Sequence, residues 1–535
     1  PEPGYIPPAL TPLQCQIVVT LRESGYARGI GTSPKLPIME AASEAARVAL
    51  SSARAGTRDD LESLDGIRIE MQALGPVVPY RGSQPWTAPQ ALEAFVEPGV
   101  DGVRLFLDGE GRWFTPGEMI SRGLSLTEAV RILGQEITLD SSVLSEATCA
   151  RFRTTHWWEL DARGRVATLE RGLVWVAPNE VTRHRIDRTI ADLAAYIRFR
   201  QRPDGWFAAT FDPASDRFSD ESDAGMQAGA CWALAVYARR NGDGATLDVV
   251  DRGLRAQHQW VVNLGRELDA SFIASEGGDN TPDVTAEHLL ALIAHPRGDR
   301  YAALRDRLVR ALVWLQRDDG SLLTVFPPTR QIPGQQRIPG MVLTALAADY
   351  ADRPTAEVAD VFASALRFYQ SGFARSQPLA MTAWHARAFA TMARLGKRAD
   401  YARFVFALCD RLCACQLGAH NVADRVVWGA FADGDLRPGS ATAAFVAALA
   451  EGARLADERG DRDRAQRYRT ACRAGVRFIL QLQFRAEECY YVRSPQAVIG
   501  GIRTAPTNVR LHLSSGQHSL LALMACRDLL FPTEP

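Results

Sequence analysis

Carboxylates, histidines and arginines gather in six short stretches of the last two-thirds of this 535-residue chain, side chains that move protons or hold charge. The first stretch holds Asp220, Glu221 and Asp223. The second holds Glu276, Asp279 and Asp283, with Glu287 and His288 one helical turn further on. The third offers Gln335, Gln336 and Arg337, the fourth Trp384 and His385, and the fifth Asp433, Asp435 and Arg437. The last, over residues 500–518, carries Arg503, Asn508, Arg510, His512, Gln517 and His518 in a Gly-rich segment of high polar density. Carboxylate pairs across a cleft are the machinery of glycoside hydrolysis. A histidine with arginine and glutamate neighbours suits proton abstraction beside a carbonyl or hemiacetal, as in epimerases and lyases. The candidate catalytic residues are therefore Asp223, Asp279, His385 and His518. The candidate substrate-binding residues are Glu221, Glu287, Trp384, Arg503, Arg510, His512 and Gln517. Plainer readings stand beside these: Asp220, Asp223 and Asp283 precede helices and suit caps, Trp206 and Trp428 suit packing, and His288 and His385 sit in apolar helices.

A recurring phrase shows what must position these residues. Its clearest copies, YIRFRQRPDGWFAATF (196–211) and ALVWLQRDDGSLLTVF (311–326), each end an apolar helix with Gln, turn at Asp-Gly and continue as a short aromatic or β-branched run. Weaker copies end at Gln259, Gln370, Gln416 and Gln483, a spacing of roughly 55 residues that marks repeat architecture. The Asp-Gly itself is turn chemistry. Expected outer helices cover 182–201, 246–264, 299–316, 355–370, 399–416 and 464–483. Second helices begin near Asp223, Val284, Pro339, Pro378, Gly439 and Ser514, in segments dominated by Gly, Ala, Ser and Thr. Small residues allow close backbone approach, so these should form an inner ring. Six excursions then gather over six inner-helix N-termini, whose unpaired N–H groups favour anionic or hydroxyl-rich ligands.

From residue 181 to 535 the pattern resembles the six-hairpin (α/α)6 toroid. The Gln–Asp-Gly–aromatic phrase looks like the repeat of terpenoid cyclases and prenyltransferases, and the same ring serves glycoside hydrolases, polysaccharide lyases, epimerases and lanthionine cyclases. The protonating Asp-x-Asp-Asp and diphosphate-binding Asp-Asp-x-x-Asp segments are missing from the inner-helix starts, and Ser219 to Asp223 comes closest in the wrong order. No motif matches the zinc ligands of prenyltransferases or lanthionine cyclases. The resemblance therefore implies a fold more firmly than a chemistry.

Residues 1–140 read as a small α+β unit: strands at 16–24 and 66–74, an amphipathic helix over 37–54, a strand pair over 102–116, and a helix over 126–137 begun near Ser125 or Thr127. The segments YARGIGTSPKLPIMEAASEAARVAL, LDGIRIEMQALGPV and VEPGVDGVRLFLDGEGRWFTPGEM resemble the AMMECR1 domain. Arg28-Gly29 runs directly into Ile30-Gly31-Thr32, so the cysteine usual in that family is absent, as is its Asp-Pro-Arg-Phe phrase. The resemblance implies a fold but carries no settled chemistry. Residues 141–180 read as a Trp-rich connector packed between the two parts.

Composition bounds the rest. Apolar content of 47% and charged content of 23% suit a globular protein, and 61 basic against 62 acidic residues leave no basic excess for nucleic acid. Nine cysteines, an odd number mostly within apolar helices, read as free thiols of a reducing compartment, and the expected location is cytoplasmic. No apolar run reaches the roughly 18 residues of a membrane span. No phosphate loop, dinucleotide fingerprint or zinc signature appears, so no cofactor or metal is expected. The function expected is a carbohydrate-active enzyme (hydrolase, lyase or epimerase) acting on a glycan or small-molecule substrate. The alternatives are an enzyme that modifies a peptide, lipid or other metabolite, and a non-catalytic binding or assembly protein.

Overall fold

The computed structural model describes residues 14–56, 66–81, 89–138, 146–219, 223–275, 279–327, 334 and 336–532. Its N-terminal part runs β1 (Gln14–Glu23), β2 (Tyr26–Thr32), β3 (Leu36–Pro37), α1 (Ile38–Gly56), β4 (Arg68–Pro79), α2 (Pro89–Phe95), β5 (Asp101–Leu107), β6 (Glu110–Phe114), α3 (Pro116–Ser121), α4 (Leu126–Ile137), β7 (Thr148–Glu159), β8 (Val166–Glu170) and β9 (Leu173–Val174). The sheet order is β2-β1-β4-β7-β5-β6, with antiparallel neighbours. Ser125 and Glu128 form a reciprocal capping box at the start of α4.

Because strand side chains alternate, the two faces of this sheet differ in chemistry. Ile17, Val19 and Leu21 pack against Ala41, Ala45, Ala49 and Ala53 of α1. Their alternates Val18, Thr20 and Arg22, with Glu70 and Gln72 of β4, open onto a cavity on the other face. The aromatic stretch expected to connect the two parts supplies strand β7 between β4 and β5. Its twelve residues alternate like a strand, and Cys149, Phe152 and Trp158 are buried.

The rest is a closed ring of six helical hairpins. The outer helices are α5 (Arg183–Phe199), α7 (Gly244–His258), α9 (Ala302–Val313), α11 (Ala356–Ser376), α13 (Ala399–Ala414) and α15 (Arg462–Leu482). The inner helices are α6 (Ala224–Asn241), α8 (Pro282–Ala294), α10 (Ile338–Asp352), α12 (Leu379–Leu395), α14 (Thr442–Glu458) and α16 (Leu513–Leu530). Each inner helix packs against the next, and α16 returns to α6. Two short strands stitch the seam: β10 (Thr210–Asp212), which also pairs with β11 (Arg217–Phe218), meets β14 (Leu511–His512). A hairpin of β12 (Val261–Asn263) and β13 (Ser271–Ile273) occupies the second excursion.

The recurring phrase turns out to be a clamp between repeats. Gln201 donates from Nε2 to the carbonyls of Gly205 and Val249, and Gln416 does the same to Gly429 and Ala471. Each bridges its own turn and the next outer helix. The turn glycines Gly205, Gly320, Gly429 and Gly500 all have positive φ and press on the following outer helix, at Arg252, Ser364, Ala474 and Asp192 respectively. The last of these contacts carries the sixth excursion back to α5 and so closes the ring.

The two parts share a core: Ile120, Trp158 and Leu169 belong to the same buried cluster as the ring helices. Arg171 bridges Glu97 and Asp424, and Arg477 of α15 donates to the Val176 carbonyl at 2.7 Å. At the β1–β2 turn, Gly25 (φ +82°) lies so close to the sixth excursion that a Cβ would sit 2.4 Å from the Val492 carbonyl oxygen. Gly25→Ala should therefore loosen the joint at a cost of about 1–3 kcal/mol from strain alone. Hydrogen exchange should quicken at residues 490–493 and stay unchanged in α11; equal rates at 490–493 would contradict the contact. Among the described residues all nine cysteines are free, and no helix is long and apolar enough to cross a membrane.

Candidate active site

At the mouth of the ring, the starts of α6, α8 and α16 and the residue before α10 enclose a cavity of about 390 Å³. Asp223 caps α6, its Oδ1 accepting from the Met226 N–H at 2.8 Å. Pro282 opens α8, so Asp283 and Glu287 fall four residues apart on one face of that helix. Arg337, at the start of α10, donates to Asp283 Oδ2 at 2.7 Å. Ser514, Gln517 and His518 enter from α16, and Ser275 and Asp279 from the second excursion.

Glu287 is 6% exposed and receives no hydrogen bond from any described residue. Burial, reinforced by Asp283 and Asp223, lifts its carboxyl well above the usual carboxylate range, against the opposing pull of Arg337 and Arg387. A carboxyl displaced towards its protonated form thus lies beside an arginine-held carboxylate. His518 is pulled down to about 3, first by burial and then by Arg387 and Arg337, so its ring stays neutral and acts through hydrogen bonds.

Three buried polar atoms of this cavity, Asp283 Oδ1, Gln517 Oε1 and His518 Nδ1, have no hydrogen-bond partner among the described residues. Buried polar groups are nearly always paired, so three partnerless ones in one cavity describe a surface shaped for a ligand. Gln517 reaches its place because position 229 is glycine: a Cβ there would lie 2.0 Å from Gln517 Nε2.

Below this lies an aromatic floor. The Arg387 guanidinium sits 4.7 Å from the Trp384 ring and 5.2 Å from the Trp232 ring, and Trp384 meets His518 edge-on at 5.4 Å. Burial lowers Arg387 to about 10 despite Glu451 and Glu287.

The structure brings Asp223, Asp279, Glu287, Gln517 and His518 together around this cavity and places the other described candidates elsewhere. Trp384 contributes to the floor and does not line the cavity. His385 faces the outer helix: its Nδ1 donates to the Met381 carbonyl at 2.9 Å, and its ring lies 4.7 Å from that of Tyr369. Arg503 is buried on Glu488 at 2.8 Å, because a guanidinium taken out of water needs a carboxylate beside it. Arg510 is exposed near Asp212, and His512 Nδ1 meets Thr210 Oγ1 at 3.2 Å in the seam. Asp433 is held by Arg411, and neither it nor Asp435 or Arg437 lines the cavity. Of the packing alternatives, Trp206 stacks near Trp260, and His288 is buried against Gln257. Asp220, Glu221, Glu276 and Gln335 lie outside the described residues. Sequence reasoning missed Arg387, whose only signal is an arginine in the middle of an apolar inner helix. Among the described residues no group of three or more His, Cys, Asp or Glu side chains could hold a metal ion.

No family model and no curated protein matches the sequence. Among solved structures, the chain is similar to an alpha-1,6-mannanase of Salegentibacter sp. in complex with alpha-1,6-mannotriose, at 10% identity over 64% of this chain and 99% of that one, with a TM-score of 0.47. It is similar to a sugar epimerase from a ruminal bacterium at 12% identity, over 54% of this chain and 85% of that one, with a TM-score of 0.41. An uncharacterised protein from Pyrococcus horikoshii matches at 18% identity, over 32% of this chain and 85% of that one, with a TM-score of 0.26.

Proposed function

We propose that the ring cavity is the catalytic site of a carbohydrate-active enzyme in which Glu287 gives its proton to the oxygen leaving a sugar carbon. The observation that carries this reading is a buried Glu287, its carboxyl shifted towards the protonated form, with three partnerless polar atoms in one cavity. Asp283 Oδ1 and Gln517 Oε1 are acceptors, and a ligand rich in hydroxyl donors would pair them. The volume falls in the range of small-molecule sites, roughly 300–1,000 Å³. Three aspartates against one arginine already held by Asp283 disfavour a phosphorylated or otherwise anionic substrate. Asp223 and Asp279, at the exposed rim, are then the partner carboxylates that activate water or receive the sugar carbon. For the N-terminal part, the segment order that resembles the AMMECR1 domain supports an assignment to that type.

Asp223→Asn separates catalysis from capping. The amide keeps the oxygen that accepts from Met226 but loses the charge. Incubated with α- and β-linked manno-, gluco- and galacto-oligosaccharides and read by mass spectrometry, the parent should convert at least one of them. The variant should fall about 100-fold or more in rate with its unfolding midpoint unchanged. Full activity in Asp223→Asn would reduce that residue to a cap, and no conversion by the parent would sink the reading.

A further inference from the structure

The joint between the sheet and the ring holds a second cavity, larger than the first at about 510 Å³. Its floor is the polar face of the N-terminal sheet. Thr20, Arg22, Glu70 and Gln72 are each at least nine-tenths buried, and all four line it. A joint that served only to hold two parts together would be expected to bury apolar side chains here, since burying polar ones is costly.

Glu70 accepts from Arg22 at 2.5 Å and lies 2.9 Å from His156 Nε2. Burial alone would raise its carboxyl, but these two neighbours bring it down to about 2. That part of the floor is therefore internally neutralised. Thr20, 6% exposed, makes no side-chain hydrogen bond to any described residue and opens on the cavity.

The rim carries the charge. Arg493, from the sixth excursion of the ring, is exposed, stacks on Tyr26 at 5.0 Å and pairs with no carboxylate among the described residues. Arg122 lies over Phe114 and meets Glu118 at 3.2 Å, and burial pushes the Glu118 carboxyl towards its neutral form. Arg493 thus faces a cavity whose other charges, Arg22 with Glu70 and Arg122 with Glu118, are already paired. Tyr26, 48% exposed, also lines the cavity, with Arg493 and Arg28 against its ring.

We propose that this joint is a second ligand site, taking a small hydroxylated organic anion of the sugar-phosphate or uronic-acid kind. Its anionic group is held by Arg493, and a hydroxyl reaches Thr20. The site shares no lining residue with the ring cavity and does not depend on the function assigned there.

Isothermal titration of the full chain with glucose 6-phosphate, glucuronate, inorganic phosphate and glucose tests this. At least one of the two sugar anions should bind, more tightly than either phosphate or glucose alone. Arg493→Ala, at an exposed position, should weaken that binding about tenfold or more, as loss of a charge-assisted hydrogen bond does. Thr20→Val, close to isosteric, should weaken it about threefold to tenfold. Asp223→Asn in the ring cavity should leave it unchanged. The proposal is overturned if neither sugar anion binds at millimolar concentration. It is equally overturned if binding survives both Arg493→Ala and Thr20→Val, if it is lost in Asp223→Asn, or if phosphate alone binds as tightly.

Discussion

Glu287→Gln should lower turnover about a thousandfold while leaving the protein at least as stable as the parent, the expected signature of removing a positioned general acid. The amide preserves shape and polarity but carries no acidic proton. The stability half of this expectation follows from linkage. The Glu287 carboxyl titrates well above its unfolded value, so between those two values the folded chain holds the extra proton. Its contribution to stability is therefore lost as pH rises from the unfolded value through the folded one, and glutamine removes that dependence. The same titration governs the parent's rate: activity that needs the protonated acid should fall as pH rises past the elevated value, and the variant should lose that limb. A variant with parental kcat, or one whose alkaline limb is unchanged, would remove Glu287 from the chemistry.

The second large effect is on folding. Arg503→Met should destabilise the protein by about 3 kcal/mol, because it strips the buried Glu488 carboxylate of its fully buried partner at Oε2 and leaves only Arg485 and the Val174 N–H on Oε1. Arg503 and Glu488 are 1% and 0% exposed at their side chains, and the guanidinium also lies 3.5 Å from the Phe484 ring centre. Pairing Arg503→Met with Glu488→Gln should recover part of the loss, and a double-mutant cycle in urea measures how much. The single variant should bind ring-cavity ligands normally once folded. A loss below 1 kcal/mol, or selective loss of ligand binding with an unchanged midpoint, would return Arg503 to the role expected from its polar, Gly-rich neighbourhood.

That contrast shows where the sequence speaks and where it stops. The copies at Gln201, Gln316, Gln416 and Gln483 announce hairpins because each follows the end of an outer helix and bonds to its own turn or to the next outer helix, a local task with a local signature; the copy expected to end at Gln370 instead lies inside α11, which continues to Ser376. The inner helices are legible for the same reason, through their small residues. Which inner-helix residues look into the cavity is not legible, because these helices are apolar on nearly every side and carry little facial pattern. His385 and His518 both begin as histidines near an inner-helix start, yet one faces Tyr369 and the other the cavity. Arg387 follows His385 by two residues, about 200° around the helix, and so points at Trp232 and the axis instead. Arg503 misleads because its partner Glu488 lies fifteen residues earlier, across a turn that only the folded excursion closes. Residues 148–159 read as a connector because the alternation of a central strand shows its pairing only once β4 and β5 are placed beside it.

A crystal structure of Glu287→Gln soaked with the manno-, gluco- and galacto-oligosaccharides tests the central claim most directly. A sugar should occupy the ring cavity, with hydroxyls within hydrogen-bond distance of Asp283 Oδ1, Gln517 Oε1 and His518 Nδ1 and a sugar oxygen beside residue 287. Only ordered water at those three atoms, or sugar bound solely elsewhere, would contradict it.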